Sequence, residues 1–363
     1  MRYKNFFALL LVLALLCGSL SGCAAGRAPT PSEQTVAFTD SLGRTVEIPE
    51  TLTRVAPSGA VASMFLATIA PEYMTTINAT PSSSQYKYLD PRLIDLPTTG
   101  QMYGSKSTLN LESILTSGAQ IVIDLGDKKD NMAADLDALQ RQIGMPVIFI
   151  EADLPHMAEA YRTLGNILSG KEARGEELAA FVEETVSMAK ENALKIQDAE
   201  RISVLYTSGS SGLNTNAKGS IQAQVLDLMG IENAAVVEDV SNKGGGNVIS
   251  LEQLYNFDPD VILFADGSIY DTVTDDSAWS QLTAISTGKY YEVPCSPYSW
   301  LSGPPSMNMI LGVWWLGNLI YPEIYDYDMA EMTQEFYKTL WGYEPSSDEV
   351  TALLANSTLK AAQ

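Results

Sequence analysis

The residue types that most often carry out chemistry are scarce in this chain. His156 is the one histidine among 363 residues, and it follows Pro155 where a helix is predicted to begin, so we interpret it as a solvated first-turn residue. Sites for bare zinc or manganese need several clustered nitrogen or carboxylate ligands, and a serine hydrolase would need that same histidine. Gly209-Ser210-Ser211-Gly212 does not fit the G-x-S-x-G pattern of a hydrolase nucleophile. The sequence therefore predicts no catalytic residues, no metal site, no cofactor and no enzyme activity.

Polar and aromatic side chains gather instead in loops that follow predicted strands. Ligands of open α/β sheets lie at the carboxyl ends of the strands, so we predict ligand contacts in these loops. The residues concerned are Ser58, Gly59, Gln101, Met102, Tyr103, Lys128, Ser208, Asn214, Lys243, Tyr298 and Trp300. Tyrosine and tryptophan offer flat apolar area with one polar edge, which suits a macrocycle or an aromatic chelator.

Core packing is the alternative role for each of these aromatic residues. Pro297 and Gly303 mark an exposed loop around Tyr298 and Trp300, which favours ligand contact for both. Lys243 stands beside three glycines that we interpret as a flexible turn, where it could meet an anionic ligand. No G-x-x-x-x-G-K-[ST] motif is present, so the chain is not an ATPase.

The elements that must position these loops follow a pattern that occurs twice. Leu109–Asp127 and Ile249–Gly267 each combine an acidic residue, a short amphipathic segment and a β-rich apolar run. A helix followed by a buried strand in the same phase predicts two similar α/β lobes rather than a short-period solenoid. Two lobes form a cleft, and clefts are where small ligands bind.

A long helical pattern separates the two halves of the chain. It runs from Lys171 to about Ile196, and at 1.5 Å per residue this helix would be about 39 Å long. We predict that residues 171–197 form a rigid strut between an N-terminal lobe, residues 36–170, and a C-terminal lobe with closing helices, residues 198–363. The composition fits this division, since 46% hydrophobic residues are ample for two cores. The net charge of −22 argues against a nucleic-acid partner.

The N-terminus has the features of an exported protein. Arg2 and Lys4 precede an apolar stretch from Phe6 to Leu16. That stretch is too short to span a bilayer core of about 30 Å, so residues 1–22 are predicted to be a signal peptide. Residues 23–35 contain small residues, proline and serine, and we interpret them as a flexible tether.

The cysteines are consistent with export. Leu20-Ser21-Gly22-Cys23 resembles the lipobox of bacterial lipoproteins, which implies that Cys23 is acylated; the alternative is an ordinary leader in which Cys23 is incidental. Cys17 lies within the leader, so Cys295 alone remains and no intramolecular disulfide is expected. We interpret Cys295 as a small buried residue rather than a nucleophile.

Three segments behind this leader carry a resemblance to a known family. Phe38–Pro49 resembles its opening hairpin, Leu109–Val122 its "NLE…PDLV" element, and Phe257–Ile262 the second-lobe equivalent of that element. In this order the segments resemble the substrate-binding lipoproteins of ABC importers that capture iron–siderophore, haem, cobalamin or, in some members, molybdate. Gly118-Ala119 stands where a Lys/Asp-Pro pair is common, which leaves the subfamily open. The resemblance implies two Rossmann-like α/β lobes bridged by one long rigid α-helix, with the ligand cleft between the lobes.

The resemblance also implies a function and partners. In that family one acidic residue per lobe pairs with an arginine of each membrane subunit, which implies permease docking by Glu112 and Glu252. Stabilisation of a helix N-terminus is the alternative role for both residues. The implied function is capture of a metal chelate, ferric siderophore first and then haem or cobalamin, for delivery to a permease dimer with its ATPase.

Two other functions remain open from the sequence. Molybdate or tungstate could bind to the same fold, and a surface sensory or enzymatic lipoprotein is an alternative of another class. We expect a monomer without a cofactor or nucleic-acid partner. Its expected location is the extracytoplasmic face of the cell membrane, to which a lipid anchors it.

Overall fold

The computed structural model of the protein describes residues 34–104 and 108–358. The predicted signal peptide of residues 1–22 and the predicted lipidation site Cys23 lie outside the described residues, as does most of the predicted tether. The described residues from Val36 onward form one compact unit. Within the part of the chain that is described, no helix has both the length and the apolar character needed to cross a membrane.

The strands of the described residues form a two-stranded sheet, a three-stranded sheet and a larger sheet. They are β1 (Thr35–Thr39), β2 (Thr45–Pro49), β3 (Val55–Pro57), β4 (Ile121–Gly126), β5 (Val147–Glu151), β6 (Ser203–Ser208), β7 (Asn214–Thr215), β8 (Glu232–Asn233), β9 (Asn247–Val248), β10 (Val261–Phe264) and β11 (Tyr290–Glu292). The three-stranded sheet is parallel, in the order β3-β4-β5. The larger sheet has the order β11-β10-β6-β7-β9, with β8 also paired to β6. It is mixed, because β7 runs antiparallel to both β6 and β9.

Helices cover the sheets and connect their strands. The α-helices are α1 (Ala60–Ile69), α2 (Leu111–Thr116), α3 (Met132–Ile143), α4 (Met157–Ile167), α5 (Glu172–Ala193), α6 (Gln224–Leu228), α7 (Leu251–Phe257), α8 (Thr283–Ser286), α9 (Asn308–Ile320), α10 (Met329–Phe336) and α11 (Ser347–Leu353). A π-helical turn, Tyr337–Trp341, follows α10. The fold is therefore α/β with two lobes, as predicted.

The repeated sequence pattern folds once in each lobe. Helix α2 leads into β4, and α7 leads into β10. Strand β4 lies between β3 and β5, and β10 lies between β6 and β11, so both are central strands. Every residue of β4 and β10 is buried, which is why their sequences are continuous rather than alternating apolar runs.

The long helix predicted between the lobes is α5. It has 22 residues, or about 33 Å at 1.5 Å per residue, and is shorter than predicted because it ends at Ala193. It packs closely on α4, since a Cβ added at Gly175 would lie 2.7 Å from the Cα of Gly165. Trp314 of α9 donates its indole N–H to Thr185 of α5 over 3.0 Å. The helix thus contacts α4, which follows the three-stranded sheet, and α9, which follows the larger sheet. The residue-level boundaries of the lobes stay predictions.

Candidate functional site

A cavity of about 240 Å³ lies between the two lobes. The first lobe lines it with residues 58–61, 101–104, 124–129 and 152–154, except for Met102 and Lys128. The second lobe contributes residues 221–222, 242–245 and 302–305, except for Lys243, together with Met309 of α9. Three of the first-lobe segments directly follow β3, β4 and β5 or form the end of β4, and residues 101–104 lie in the loop before α2. The cavity therefore meets the carboxyl edge of the parallel sheet. This is the usual ligand position in open α/β sheets.

A buried carboxylate forms the floor of the cavity. Asp124 lies near the end of β4, its residue is 5% exposed, and its Oδ1 accepts a short hydrogen bond from the Ser58 hydroxyl. Its Oδ2 is buried without a hydrogen-bond partner among the described residues. Burial raises the pKa of Asp124 to about 6, although the Ser58 hydrogen bond and the Lys129 charge act in the opposite direction. A carboxyl that resists ionisation in this way is held at an energetic cost.

Tyr103 stands beside this carboxylate. Its loop is fixed to the strand edge, because the Met102 amide donates to the Ser58 carbonyl over 2.8 Å. The Tyr103 hydroxyl is buried without a hydrogen-bond partner among the described residues. Burial, followed by the negative charge of Asp124, raises the pKa of Tyr103, so the hydroxyl stays protonated at neutral pH.

The charges that line the cavity are mostly negative. Among the described lining residues Lys129 is the sole cation, and its Nζ lies 2.8 Å from Asp127 Oδ1 and 5.4 Å from the ring centre of Tyr103. Asp127 therefore neutralises the lysine locally. Asp124 and Asp153 add two further carboxylates, which leaves the wall with a net negative formal charge.

The second lobe supplies an amide and a backbone wall. Gln222 is 6% exposed, and its Nε2 donates to the Lys243 carbonyl over 3.2 Å. This bond leaves its Oε1 buried with no partner among the described residues. Gly245 lines the same wall with a φ of +98°, a conformation in the region that favours glycine. Pro304, Pro305 and Met309 complete the wall with apolar surface.

One glutamine joins the lobes at the rim of the cavity. Gln224, at the start of α6, accepts from the Leu154 amide over 3.0 Å and donates to Asp153 Oδ2 over 3.2 Å. Gln85 makes a second contact of this kind, since its Nε2 donates to the Pro297 carbonyl over 2.7 Å. The lobes are therefore in direct contact beside the cavity.

Within the described residues one cluster combines the side chains that metal ions prefer. Glu151, Asp153 and His156 place ligand atoms within 4.8 Å of one another. Lys128 already pairs with Glu151 at 2.6 Å, and His156 and Gln224 already bond to Asp153. The groups satisfy one another as a hydrogen-bonded cluster. His156 is 51% exposed by its side chain, in agreement with its predicted position in a solvated first turn.

Comparison with known proteins identifies the family to which the chain belongs. The model of a family described as "Periplasmic binding protein" matches residues 56–297, about two thirds of the chain. The chain belongs to the periplasmic binding protein family. No curated protein sequence matches it significantly.

Solved structures extend the likeness to most of this periplasmic binding protein. An ABC transporter solute binding protein from Sulfurospirillum deleyianum is 27% identical with a TM-score of 0.80, over 88% of this chain and 99% of that one. A periplasmic solute binding protein from Veillonella parvula is 22% identical with a TM-score of 0.72, over 89% and 98%. The molybdate periplasmic binding protein MolA of Haemophilus influenzae, bound to molybdate, is 18% identical with a TM-score of 0.70, over 86% and 99%. The protein is an extracytoplasmic solute-binding component of an ABC transporter and not an enzyme.

Four of the predicted ligand contacts of this periplasmic binding protein line the cavity. They are Ser58, Gly59, Gln101 and Tyr103. They meet because a Cβ added at Gly59 would lie 3.3 Å from the Cβ of Gln101, so the loop after β3 and the loop before α2 lie in contact. Their contact with ligand stays a prediction.

Five other predicted contacts do not line the cavity. Met102 packs on an apolar cluster beneath β4, and Lys128 turns away to pair with Glu151. Ser208 and Asn214 pair with each other in the ladder of β6 and β7. Lys243 meets the site only through its carbonyl, which accepts from Gln222. Met102, Lys128 and Lys243 thus belong to loops that reach the cavity through other residues, whereas no residue of 208–214 lines it.

The ligand-contact role predicted for Tyr298 and Trp300 does not fit their positions. Trp300 is 0% exposed and belongs to the main core, where a Cβ added at Gly312 of α9 would lie 2.0 Å from its carbonyl oxygen. Tyr298 packs on the same core, with its ring centre 5.7 Å from that of Trp341. Residues 302–305 of this segment reach the cavity instead. Helix α9 covers the aromatic residues, so core packing, the alternative role, describes both.

Cys295 also differs from expectation. The residue is exposed rather than buried, because it lies at the turn before Ser296. Partial burial of its sulfur, with the charges of Asp266 and Glu292, raises the pKa of the thiol to about 11. The thiol is therefore protonated and weakly nucleophilic at neutral pH.

The two acidic residues predicted to dock on a permease occupy equivalent places. Glu112 and Glu252 are each the second residue of a short helix, α2 and α7 respectively, and both are exposed. Asn110 caps the first helix, and Ser250 caps the second with a capping box. Neither carboxylate forms an ion pair within the described part of the chain. Their docking role stays a prediction.

The most informative site residues escaped the sequence analysis. Asp124 interrupts an apolar strand, and a charged residue at such a position is a signal that could have been used, since buried carboxylates are rare unless paired. Lys129 is one position beyond the lysine that was predicted. No local signal distinguishes Gln222, because its role depends on how the second lobe faces the first.

Proposed function

We propose that this protein captures an uncharged or cationic metal chelate between its lobes and delivers it to an ABC permease. The observation that carries the proposal is the cavity between the lobes, with the carboxylate Asp124 on its floor and Lys129 already neutralised by Asp127. A buried carboxylate repels a strongly anionic ligand and favours a neutral or positive one. A ferric siderophore of that charge is the first candidate, followed by cobalamin. Haem follows, because its two propionates would be repelled by Asp124.

The size of the cavity bears on the cargo. Pockets for drug-sized ligands typically have volumes of about 300–1,000 Å³, and this cavity is smaller, at about 240 Å³. A large chelate such as haem or cobalamin would need the lobes to separate, whereas a compact chelate needs less movement. The burial of Tyr298 and Trp300 removes the aromatic platform on which a planar macrocycle would stack.

An oxyanion such as molybdate or tungstate is the second candidate. Helix α1 begins at the cavity with Ala60, and the first N–H groups of a helix have no partner within it and favour anions. The likeness to MolA, which is bound to molybdate, also supports this candidate. Asp124 opposes it, because its carboxylate lies on the floor of the same cavity.

A binding panel tests the proposal. Intrinsic tryptophan fluorescence of a form lacking residues 1–23 is titrated with ferric siderophores of different charge, haemin, cobalamin and molybdate. We expect saturable quenching by a neutral or cationic chelate and none by molybdate. Binding of molybdate alone would establish the second candidate, and the absence of any saturable response would contradict capture of these cargoes.

Anchoring to the membrane by Cys23 is a separate part of the proposal. It is supported by the short apolar leader and the Leu-Ser-Gly-Cys sequence. A diacylglyceryl group would supply the two chains that stable anchoring requires. Cys23→Ala should abolish labelling by radioactive palmitate and leave the leader uncleaved; persistent labelling would contradict the assignment.

A further inference from the structure

Three polar atoms on residues that line the cavity are buried and have no hydrogen-bond partner among the described residues. They are Asp124 Oδ2, the Tyr103 hydroxyl and Gln222 Oε1. Asp124 and Gln222 are 5% and 6% exposed. Buried polar atoms in folded proteins are nearly always paired, and each one left unpaired costs about 1–3 kcal/mol. Three such atoms on one cavity, contributed by both lobes, indicate the groups that a bound molecule would satisfy.

The bonds that these side chains already make define what each free atom can do. Ser58 occupies Asp124 Oδ1, so Oδ2 remains as an acceptor. The amide nitrogen of Gln222 donates to a carbonyl, which fixes its Oε1 as an acceptor as well. The hydroxyl of Tyr103 can accept or donate. The site therefore calls for a group with several hydrogen-bond donors.

The charge balance narrows this group further. Lys129, the sole cation among the described lining residues, is bound to Asp127. No other described lining side chain carries a positive charge that could pair with Asp124. A ligand group that is both positively charged and rich in N–H donors matches the carboxylate and the two other oxygens together.

We propose that Asp124, Tyr103 and Gln222 form an anchor for an alkylammonium group carried by the cargo, an inference that rests on the proposed capture of a chelate in this cleft. An ammonium has three N–H donors, one for each of the three oxygens that lack a partner among the described residues. Its single positive charge is opposite to that of the Asp124 carboxylate. Asp124 and Tyr103 lie on the first lobe and Gln222 on the second. The ammonium thereby joins the lobes around the cargo.

The energetic state of Asp124 supports this role. Its pKa of about 6 reflects burial, which disfavours the carboxylate until an opposite charge arrives. A bound ammonium would stabilise the ionised form, which predominates above pH 6. The cost of keeping a buried carboxylate is then offset only in the complex, as expected for a residue retained for binding.

The test uses two ferric complexes that differ in one group. The ferric complex of desferrioxamine B carries a free terminal ammonium, and the complex of its N-acetyl derivative carries an uncharged amide at that position. Affinities are measured by fluorescence titration on the wild type, Asp124→Asn and Asp130→Asn. Asp130 is an exposed carboxylate of the same loop that does not line the cavity, so its variant removes the same charge without touching the anchor.

We expect the wild type to bind the ammonium-bearing complex about 10- to 100-fold more tightly than the acetylated one, the scale of a charge-assisted hydrogen bond. Asp124→Asn should reduce this ratio to near unity, and Asp130→Asn should preserve it. Equal binding of both complexes by the wild type would overturn the anchor while leaving capture of a chelate intact. Loss of the preference in Asp130→Asn as well would overturn the anchor by attributing the preference to net charge.

A second measurement decides the case in which neither complex binds, an outcome that would count against a ferric hydroxamate cargo. Thermal unfolding is followed with butylammonium chloride and with sodium chloride at equal ionic strength. A rise in Tm specific to butylammonium in the wild type and absent in Asp124→Asn would support the anchor. No specific rise in the wild type would overturn it.

Discussion

The two repeat units of this protein end in different chemistry. Asp124 of β4 and Phe264 of β10 occupy equivalent positions of the two repeats, each within a buried central strand. Asp124 lines the cavity, and its Oδ2 is buried without a hydrogen-bond partner among the described residues. Phe264 is 0% exposed, and its ring centre lies 5.5 Å from that of Trp279 and 6.2 Å from that of Tyr270.

The difference shows how one pattern serves two purposes. In the second lobe the strand end is filled with aromatic rings, which bury large apolar area and stabilise the lobe. In the first lobe the equivalent position holds a carboxylate that is costly to bury. We infer that the binding group of the first lobe destabilises that lobe. We also infer that the second lobe provides the rigid wall against which cargo is held.

Removal of the Phe264 ring, which fills the end of β10, should have the largest effect on stability. Phe264→Ala should lower the free energy of unfolding by about 3–5 kcal/mol, the usual cost of deleting a buried phenylalanine. Urea denaturation measures this effect. Leu251→Ala is the control, because Leu251 is 40% exposed and should cost far less. Similar losses of unfolding free energy in the two variants would contradict the stabilising role of Phe264.

Replacing the Asp124 carboxylate by a neutral amide should instead raise the free energy of unfolding. The pKa of Asp124 in the folded protein, about 6, lies above its ordinary value of 3.8, so ionisation of Asp124 destabilises the fold. This penalty is absent below pH 3.8, grows as the pH rises and is complete above pH 6.

Asp124→Asn should therefore stabilise the ligand-free protein at pH 7.5, by up to about 3 kcal/mol, and by roughly half as much at pH 5. Denaturation at both pH values measures the gain. A loss of stability at pH 7.5 would mean that the carboxylate supports the fold, and it would break the contrast between the lobes.

The two lobes should behave alike at Glu112 and Glu252. Exchange of either exposed residue for alanine should change stability by less than about 1 kcal/mol, the scale of a helix N-terminal charge. The double variant should bind ligand normally, while uptake in cells collapses if both residues dock on the permease. Equal loss of binding and uptake would place these residues in the fold or the site instead.

The smallest expected effect is a change of overall shape. Helix α5 packs against elements that follow both the three-stranded and the larger sheet, so we expect only a small hinge movement between the lobes. Small-angle scattering of the free and bound forms should therefore give nearly the same radius of gyration. A clear decrease on binding would contradict a rigid connection.

The sequence predicts the architecture better than the site. The apolar runs of β4 and β10 and the face of α5 follow local periodicity, so the lobes and the long helix could be predicted. Ser58 and Gly59 could be placed at the cavity because they follow a strand, and Gln101 and Tyr103 because their loop precedes the first repeat. The contact of all four with ligand stays a prediction.

The errors concern packing between distant segments. Trp300 stands in a loop with proline and glycine, yet Gly312 lets α9 cover it, and nothing local to Trp300 reveals this contact. Gln222 reaches the cavity only because the second lobe faces the first. Such placements depend on long-range contacts that local patterns do not encode.

Amide hydrogen exchange with and without the tightest ligand of the binding panel tests the central claim, that cargo is held between a polar floor and an opposing wall. We predict slower exchange in residues 58–61 and 101–104 of the first lobe together with residues 221–224 and 242–245 of the second. Protection confined to one lobe, or outside these segments, would contradict the claim.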